Sequence, residues 1–107
     1  MTDAPPEFLE EVQRIVHVLS PELGGPKRLE LRSGRATQVR GEVIQIPQAT
    51  LEHWLRFHTL PSMLVRDLAY LAKKEALTRQ GWSGPGAEAD AQAFAEKFLR
   101  DLRATDD

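Results

Sequence analysis

The segment from Ser62 to Arg79 constrains the possible folds of this chain more than any other. Its apolar residues recur at helical spacing, and together they cover a face too broad for a helix that lies on the protein surface. We therefore predict a buried central helix that ends at Gly81. The apolar residues of this segment are Leu64, Val65, Leu68, Ala69, Leu71, Ala72, Ala76 and Leu77.

A first helix is predicted over residues 5–20, because Phe8, Val12, Ile15 and Leu19 also recur at helical spacing. Asp3, Pro5 and Pro6 are suited to its start, since a proline in the first turn needs no N–H group. We expect the helix to stop at Ser20-Pro21 and the chain to turn at Gly24-Gly25-Pro26.

The period then changes to two, which is typical of a half-buried strand: Leu29 and Leu31 alternate with charged residues. Ser33-Gly34 predicts a tight turn, and Thr37 to Arg40 predicts the returning strand of a hairpin. A bend or bulge at Gly41 would precede a third β segment, Val43 to Ile46, that ends at Pro47.

Two more helices complete the prediction. Thr50 is expected as the N-cap of a short helix that Thr59-Leu60-Pro61 interrupts, and a loop at 82–86 leads to a final helix. The predicted fold class is thus α+β, with an N-terminal helix, a small three-stranded sheet and three further helices, in a single domain over residues 1–107. We expect the core to include Leu64, Leu68, Leu71, Phe94 and Phe98, with Trp54 and Trp82 completing it.

Composition narrows the partners. The net charge is -2, so the chain as a whole has no electrostatic attraction to nucleic acid or to an anionic membrane. We expect a protein partner or self-association, no cofactor and, without a signal sequence or cysteine, a cytoplasmic location. A local group of cations is interpreted as the solvated face of the hairpin: Lys27, Arg28, Arg32, Arg35 and Arg40.

One local motif suggests a family. Residues 88–95 have the sequence E-A-D-A-Q-A-F-A, which resembles the E-x-x-A-[NQ]-x-F-A segment of the ImmA/IrrE family of repressor-cleaving metallopeptidases. The order of the elements resembles the zincin fold of those enzymes, and Gly41 to Ile46 resembles the edge strand ahead of their catalytic helix. The resemblance covers roughly residues 29–99 and implies that Glu88 occupies the position of the third zinc ligand.

The resemblance also implies an H-E-x-x-H motif on the central helix, where two histidines four residues apart bind zinc and the glutamate activates water. The matching stretch here is Arg66-Asp67-Leu68-Ala69-Tyr70. Arginine offers no lone pair to a metal, and tyrosine with glutamate is a poor zinc site by ligand type. We therefore expect no catalytic residues, no metal and a vestigial site formed by Arg66, Asp67, Tyr70 and Glu88.

Three functions follow as hypotheses. The first is a catalytically inactive zincin-like domain that acts as a protein-interaction or regulatory module. The second is a small DNA-binding or antitoxin-like regulator in which Gly41 to Pro47 faces DNA, and the third is a metallopeptidase with an unorthodox site. For the first, we expect an ion pair between Arg66 and Glu88 in place of the metal, with Tyr70 donating a hydrogen bond to the same carboxylate.

Overall fold

The computed structural model describes residues 4–25, 27–34 and 36–105. It confirms a mixed α+β architecture with a small three-stranded sheet and a buried central helix. In chain order the elements are α1 (Pro6–Val18), α2 (Ser20–Leu23), β1 (Arg28–Arg32), β2 (Gln38–Arg40), β3 (Val43–Pro47), α3 (Gln48–Phe57), α4 (Ser62–Arg79) and α5 (Pro85–Thr105). Among these described residues, no helix combines the length and the apolar character that a membrane span requires.

Helix α1 buries Phe8, Val12 and Ile15, as its apolar period predicts. Its end differs from the prediction, because Ser20-Pro21 does not terminate helical structure but opens the short helix α2. Proline fits there since the first turn of a helix has free N–H groups in any case. Gly24 then ends α2 in the left-handed conformation, with φ of 83°. Asp3, which we placed at the start of α1, lies outside the described residues.

The strand pairing corrects the predicted hairpin. Strands β1 and β2 are not neighbours, because β3 lies between them in the order β1-β3-β2. β3 pairs in parallel with β1, with Leu29 opposite Ile44 and Leu31 opposite Ile46, and antiparallel with β2. The segment expected to form an edge strand is therefore the central strand. The pairing places its two isoleucines in the core, where each is at most 1% exposed.

The tight hairpin of the sheet joins β2 to β3. Arg40 pairs with Val43, so Gly41 and Glu42 form a two-residue turn rather than a bulge. Gly41 has φ of 59°, and glycine is favoured at the first position of such a turn because it adopts positive φ without a steric penalty.

Lys27 corrects the predicted cationic face. Its side chain is only 9% exposed, and its ammonium donates a 2.6 Å hydrogen bond to the carbonyl of Gly41 and lies 3.6 Å from Glu75 Oε1 on α4. Lys27 thus ties the hairpin turn to the central helix, whereas Arg28, Arg32 and Arg40 are exposed as expected. Arg35 lies outside the described residues.

Helix α3 begins two residues before the predicted N-cap. Pro47 is the capping residue, in an extended conformation, and Thr50 lies within the first turn, where its hydroxyl donates to the carbonyl of Pro47 at 2.7 Å. A threonine near a helix start can hydrogen-bond the preceding turn as readily as it caps, which is why the sequence signal was displaced.

Helix α4 has the predicted bounds and packs against α5. Leu64 and Leu68 are each 1% exposed, whereas Leu71, Phe94 and Phe98 are only half-buried. Trp54 lies in the core, packed edge-on against Phe8 with ring centroids 5.9 Å apart. Trp82 does not complete the core as expected: it is 43% exposed, in the loop between α4 and α5.

Replacing Leu68 with alanine should lower the free energy of unfolding by about 2–5 kcal/mol, because it leaves a cavity in the core against which the middle of α4 packs. Met63 on the same helix is 71% exposed and provides the control, since Met63→Ala should change stability by no more than about 0.5 kcal/mol. Urea denaturation followed by circular dichroism measures both. A loss below about 1 kcal/mol for Leu68→Ala would contradict the central position of α4.

Candidate functional site

The residues singled out in the sequence lie where α4 meets the first turns of α5. Tyr70 projects from α4, and its hydroxyl donates a 2.6 Å hydrogen bond to Glu88 Oε1 on α5. Lys74, one turn further along α4, places its ammonium 3.6 Å from the same oxygen and 5.6 Å from the centre of the Tyr70 ring. We call this group the Tyr70–Glu88–Lys74 bridge. It joins the two helices through one carboxylate.

The predicted ion pair between Arg66 and Glu88 is wrong. Arg66 is exposed and takes part in none of the ion pairs between described residues, and the cation beside Glu88 is Lys74. Both residues lie four positions from Tyr70, in opposite directions along α4. The position of Glu88 along the helix axis therefore selects Lys74. The predicted hydrogen bond from Tyr70 is confirmed.

The bridge fixes the charge of its members. The hydrogen bond from Tyr70 and the charge of Lys74 lower the pKa of the Glu88 carboxyl, because both favour the ionised form. The same hydrogen bond raises the pKa of the Tyr70 hydroxyl, since a proton shared with a carboxylate is harder to remove. Tyr70 and Glu88 together raise the pKa of Lys74. At neutral pH the bridge thus holds an anion, a cation and a neutral phenol.

A cleft of about 390 Å³ lies beside the bridge, and we call it the α4–α5 cleft. Arg66, Asp67 and Tyr70 line it from α4, and Gln92 lines it from α5, whereas Glu88 is not among its lining residues. Burial raises the pKa of the Asp67 carboxyl, and the neighbouring charge of Arg66 partly opposes this. The structure therefore brings three of the four predicted residues into one cleft and the fourth into contact with Tyr70.

These residues do not fit a zinc ion. The Tyr70 hydroxyl keeps its proton and donates it in a hydrogen bond to Glu88, and the Lys74 ammonium lies beside the same carboxylate. Arg66 supplies a positive charge where the resembling family has a ligand, and a guanidinium has no lone pair to offer. The donor set therefore offers zinc no imidazole or thiolate: Glu88 is already bound by Tyr70 and Lys74, and Asp67 lies in the adjoining cleft beside the charge of Arg66, which makes a poor site by ligand type.

The histidines do not add ligands to this site. His53 packs on Phe57, with ring centroids 4.7 Å apart, and His58 packs edge-on against Trp54. His17 is exposed on α1. Within residues 4–25, 27–34 and 36–105, no three side chains of histidine, cysteine, aspartate or glutamate are grouped so as to hold a metal ion.

Sequence reasoning missed two residues of the site, Lys74 and Gln92. Both had a detectable signal, because residues four positions apart share a helix face: Lys74 follows Tyr70 by four on α4, and Gln92 follows Glu88 by four on α5. What the spacing alone does not provide is the relative position of the two helices.

Comparison of the chain with protein-family models, with curated proteins and with solved structures finds no match.

The bridge predicts an acid-dependent change at Glu88. Because its pKa is lowered in the folded state, the bridge stabilises the fold above the carboxyl's unfolded pKa, and this stabilisation is lost as the pH falls through the lowered value. Tyr70→Phe should raise the pKa of Glu88 more than Lys74→Ala does, since the phenolic hydrogen bond is the larger cause. Titration of the side-chain carboxyl carbon by NMR measures this. An unchanged pKa in Tyr70→Phe would show that the hydrogen bond is absent in solution.

Proposed function

We propose that this chain is a zincin-like domain that is catalytically inactive and acts as a protein-interaction or regulatory module. The observation that carries the proposal is the 2.6 Å contact between Tyr70 and Glu88. These two positions correspond to the second and third zinc ligands of the resembling family. They lie on different helices, 18 residues apart in sequence, and still meet at a single point.

The length of the tyrosine side chain strengthens the argument for kinship. A tyrosine hydroxyl extends about as far from the helix backbone as a zinc ion bound roughly 2.0–2.1 Å beyond a histidine nitrogen. The hydroxyl of Tyr70 thus reaches Glu88 over a distance that a histidine could span only with a bound ion. Position 66, one turn earlier on α4, lines the adjoining cleft. The contact between positions 70 and 88 supports an inherited metal site in which a hydrogen bond from Tyr70 and the charge of Lys74 now stabilise the carboxylate, although Lys74 lies on the side of Tyr70 away from position 66.

The same groups argue for binding rather than catalysis. Tyr70 and Lys74 both contact Glu88 Oε1 and lower the pKa of its carboxyl, which makes Glu88 a weaker base for activating water. The adjoining cleft combines a guanidinium, a carboxylate and an amide with the thioether of the exposed Met63. A concave surface with an apolar part and a few polar groups is typical of recognition sites.

The DNA-binding alternative gains no support from a specific observation. The strand suggested to face DNA is β3, the centre of the sheet, and none of its five residues is exposed. A central strand without exposed residues offers DNA neither a groove-filling edge nor cations for phosphates.

Reconstruction of a metal site tests the proposed kinship. The variant Arg66→His/Tyr70→His/Lys74→Ala restores two imidazoles four residues apart and removes the cation beside Glu88. We expect it to bind one equivalent of zinc, whereas the wild-type protein contains no stoichiometric zinc and cleaves no peptide. Elemental analysis and competition with a chromogenic chelator measure the stoichiometry and the affinity.

The matched control carries the same three substitutions together with Glu88→Gln. It should bind zinc at least about tenfold more weakly, because even the loss of a residue that only orients a ligand costs about 10–100-fold. Equal affinities in the two variants would mean that Glu88 is not placed as a third ligand, and the zincin-like assignment would then be wrong.

A further inference from the structure

A second concave surface lies toward the C-terminal end of α5. It is a groove of about 580 Å³ between α1, the connection from α3 to α4 and the C-terminal half of α5, and we call it the α1–α5 groove. It adjoins the α4–α5 cleft at Ser62 and Leu99, which line both. Its volume lies within the range of roughly 300–1,000 Å³ that is typical of ligand sites.

The floor of this groove is apolar and only partly covered. Val18 of α1 is 60% exposed, although the other apolar residues that line the groove are buried or half-buried. An exposed apolar side chain at the mouth of an apolar groove is typical of an interaction surface, because a partner that covers it removes apolar area from water. The apolar lining is formed by Ile15, Val18, Leu60, Val65, Phe98 and Leu102.

The charged residues at the rim favour an acidic partner. Arg14 and Arg103 line the groove from its two helices, and Arg14 makes no ion pair with another described residue. Arg103 donates a hydrogen bond to the hydroxyl of Ser62 at 2.6 Å, and this neutral partner does not offset its positive charge. The acidic member of the rim, Glu11, accepts a hydrogen bond from the Trp54 indole at 3.1 Å and is thereby turned toward the core. The groove is therefore locally cationic in a chain whose net charge is -2.

One residue at the rim of the groove has an unusual backbone conformation. His58, which lines the groove, has φ of 57°. Among the described residues, every other residue with positive φ is a glycine. A left-handed conformation costs free energy for any residue with a Cβ atom, and such residues concentrate at functional sites. The His58 ring packs edge-on against the core residue Trp54, with ring centroids 5.6 Å apart, and so fixes the rim of the groove to the core.

We propose that the α1–α5 groove binds an amphipathic segment of a partner protein, with apolar side chains on the groove floor and aspartate or glutamate side chains at Arg14 and Arg103. This inference rests on the interaction role proposed above and names its surface and the chemistry of its ligand. The apolar floor supplies the area to be buried. The two guanidinium groups favour a negatively charged partner, since arginine forms bidentate hydrogen bonds with carboxylates.

Selection from a random 12-residue peptide library displayed on phage, with the wild-type protein immobilised, tests this proposal. We expect the enriched peptides to combine apolar residues with aspartate or glutamate. Fluorescence anisotropy with the tightest synthetic peptide should show at least tenfold weaker binding to Val18→Glu and to Arg14→Glu. Leu55→Glu and Arg100→Glu are the matched controls, because both residues are exposed and lie outside the groove lining; they should bind as the wild type does.

A charge exchange makes the test specific. A peptide whose acidic residues are replaced by lysine should lose binding to the wild-type protein and regain it with the double variant Arg14→Glu/Arg103→Glu. Failure to enrich any peptide, enriched peptides without acidic residues, or binding that is insensitive to Val18→Glu would overturn the proposal. So would a dimer in analytical ultracentrifugation that Val18→Glu dissociates, since a second copy would then cover the groove. None of these results affects the zinc reconstruction, so the two proposals can fail separately.

Discussion

The close packing of α4 against α5 is the constraint on which the geometry of the site depends. Both helices bury alanines, and a single methyl group lets two helix backbones approach to the short end of the usual range of about 8–10 Å. Glu88 and Gln92 each follow a buried alanine of α5, so their polar groups lie at the margin of this contact. At this margin the hydroxyl of a tyrosine on one helix reaches a carboxylate on the other. The buried alanines are Ala69, Ala72 and Ala76 of α4 and Ala87, Ala91 and Ala95 of α5.

An apolar contact of this kind explains how the fold can persist without a metal ion. The free energy that holds α4 and α5 together comes from buried methyl and methylene groups, and it does not depend on which polar groups lie at the margin. The exposed Tyr70–Glu88–Lys74 bridge is therefore a device that fixes positions and charges rather than a main source of stability, as is usual for exposed ion pairs.

Local signals in the sequence predicted the helices well and the sheet pairing poorly. The bounds of α4 follow from Pro61 before it and Gly81 after it, both of which act within a few residues. The parallel pairing of β1 with β3 brings together residues that are distant in sequence, and the alternation of Leu29 and Leu31 is compatible with either neighbour. Burial of Lys27 was hidden for the same reason, because its partner Glu75 belongs to another element.

The candidate site shows the same division between local and distant information. Helical spacing places Arg66, Tyr70 and Lys74 on one face of α4, and this much could be predicted from the sequence. Whether Glu88 meets the first or the last of them depends on how far α5 is displaced along α4. That displacement is set by the loop at 80–84 and by the buried alanines, and no residue of the motif itself encodes it.

The half-buried aromatic residues of α5 connect the core to the groove. Phe98 and Leu102 have the spacing of core residues, and on the sequence alone Phe98 was assigned to the core. In the structure, α1 and the α3–α4 connection stop short of covering them, so the same apolar pattern serves both the packing of α5 and the floor of the α1–α5 groove. Phe98 and Leu102 continue the stripe of Ala91 and Ala95 along one face of α5, so the proposed binding surface is the part of an apolar stripe that extends beyond the helices covering it. Because α5 also carries Glu88 and Gln92, one helix positions both the Tyr70–Glu88–Lys74 bridge with its α4–α5 cleft and the α1–α5 groove, and its packing against α4 determines the shape of each.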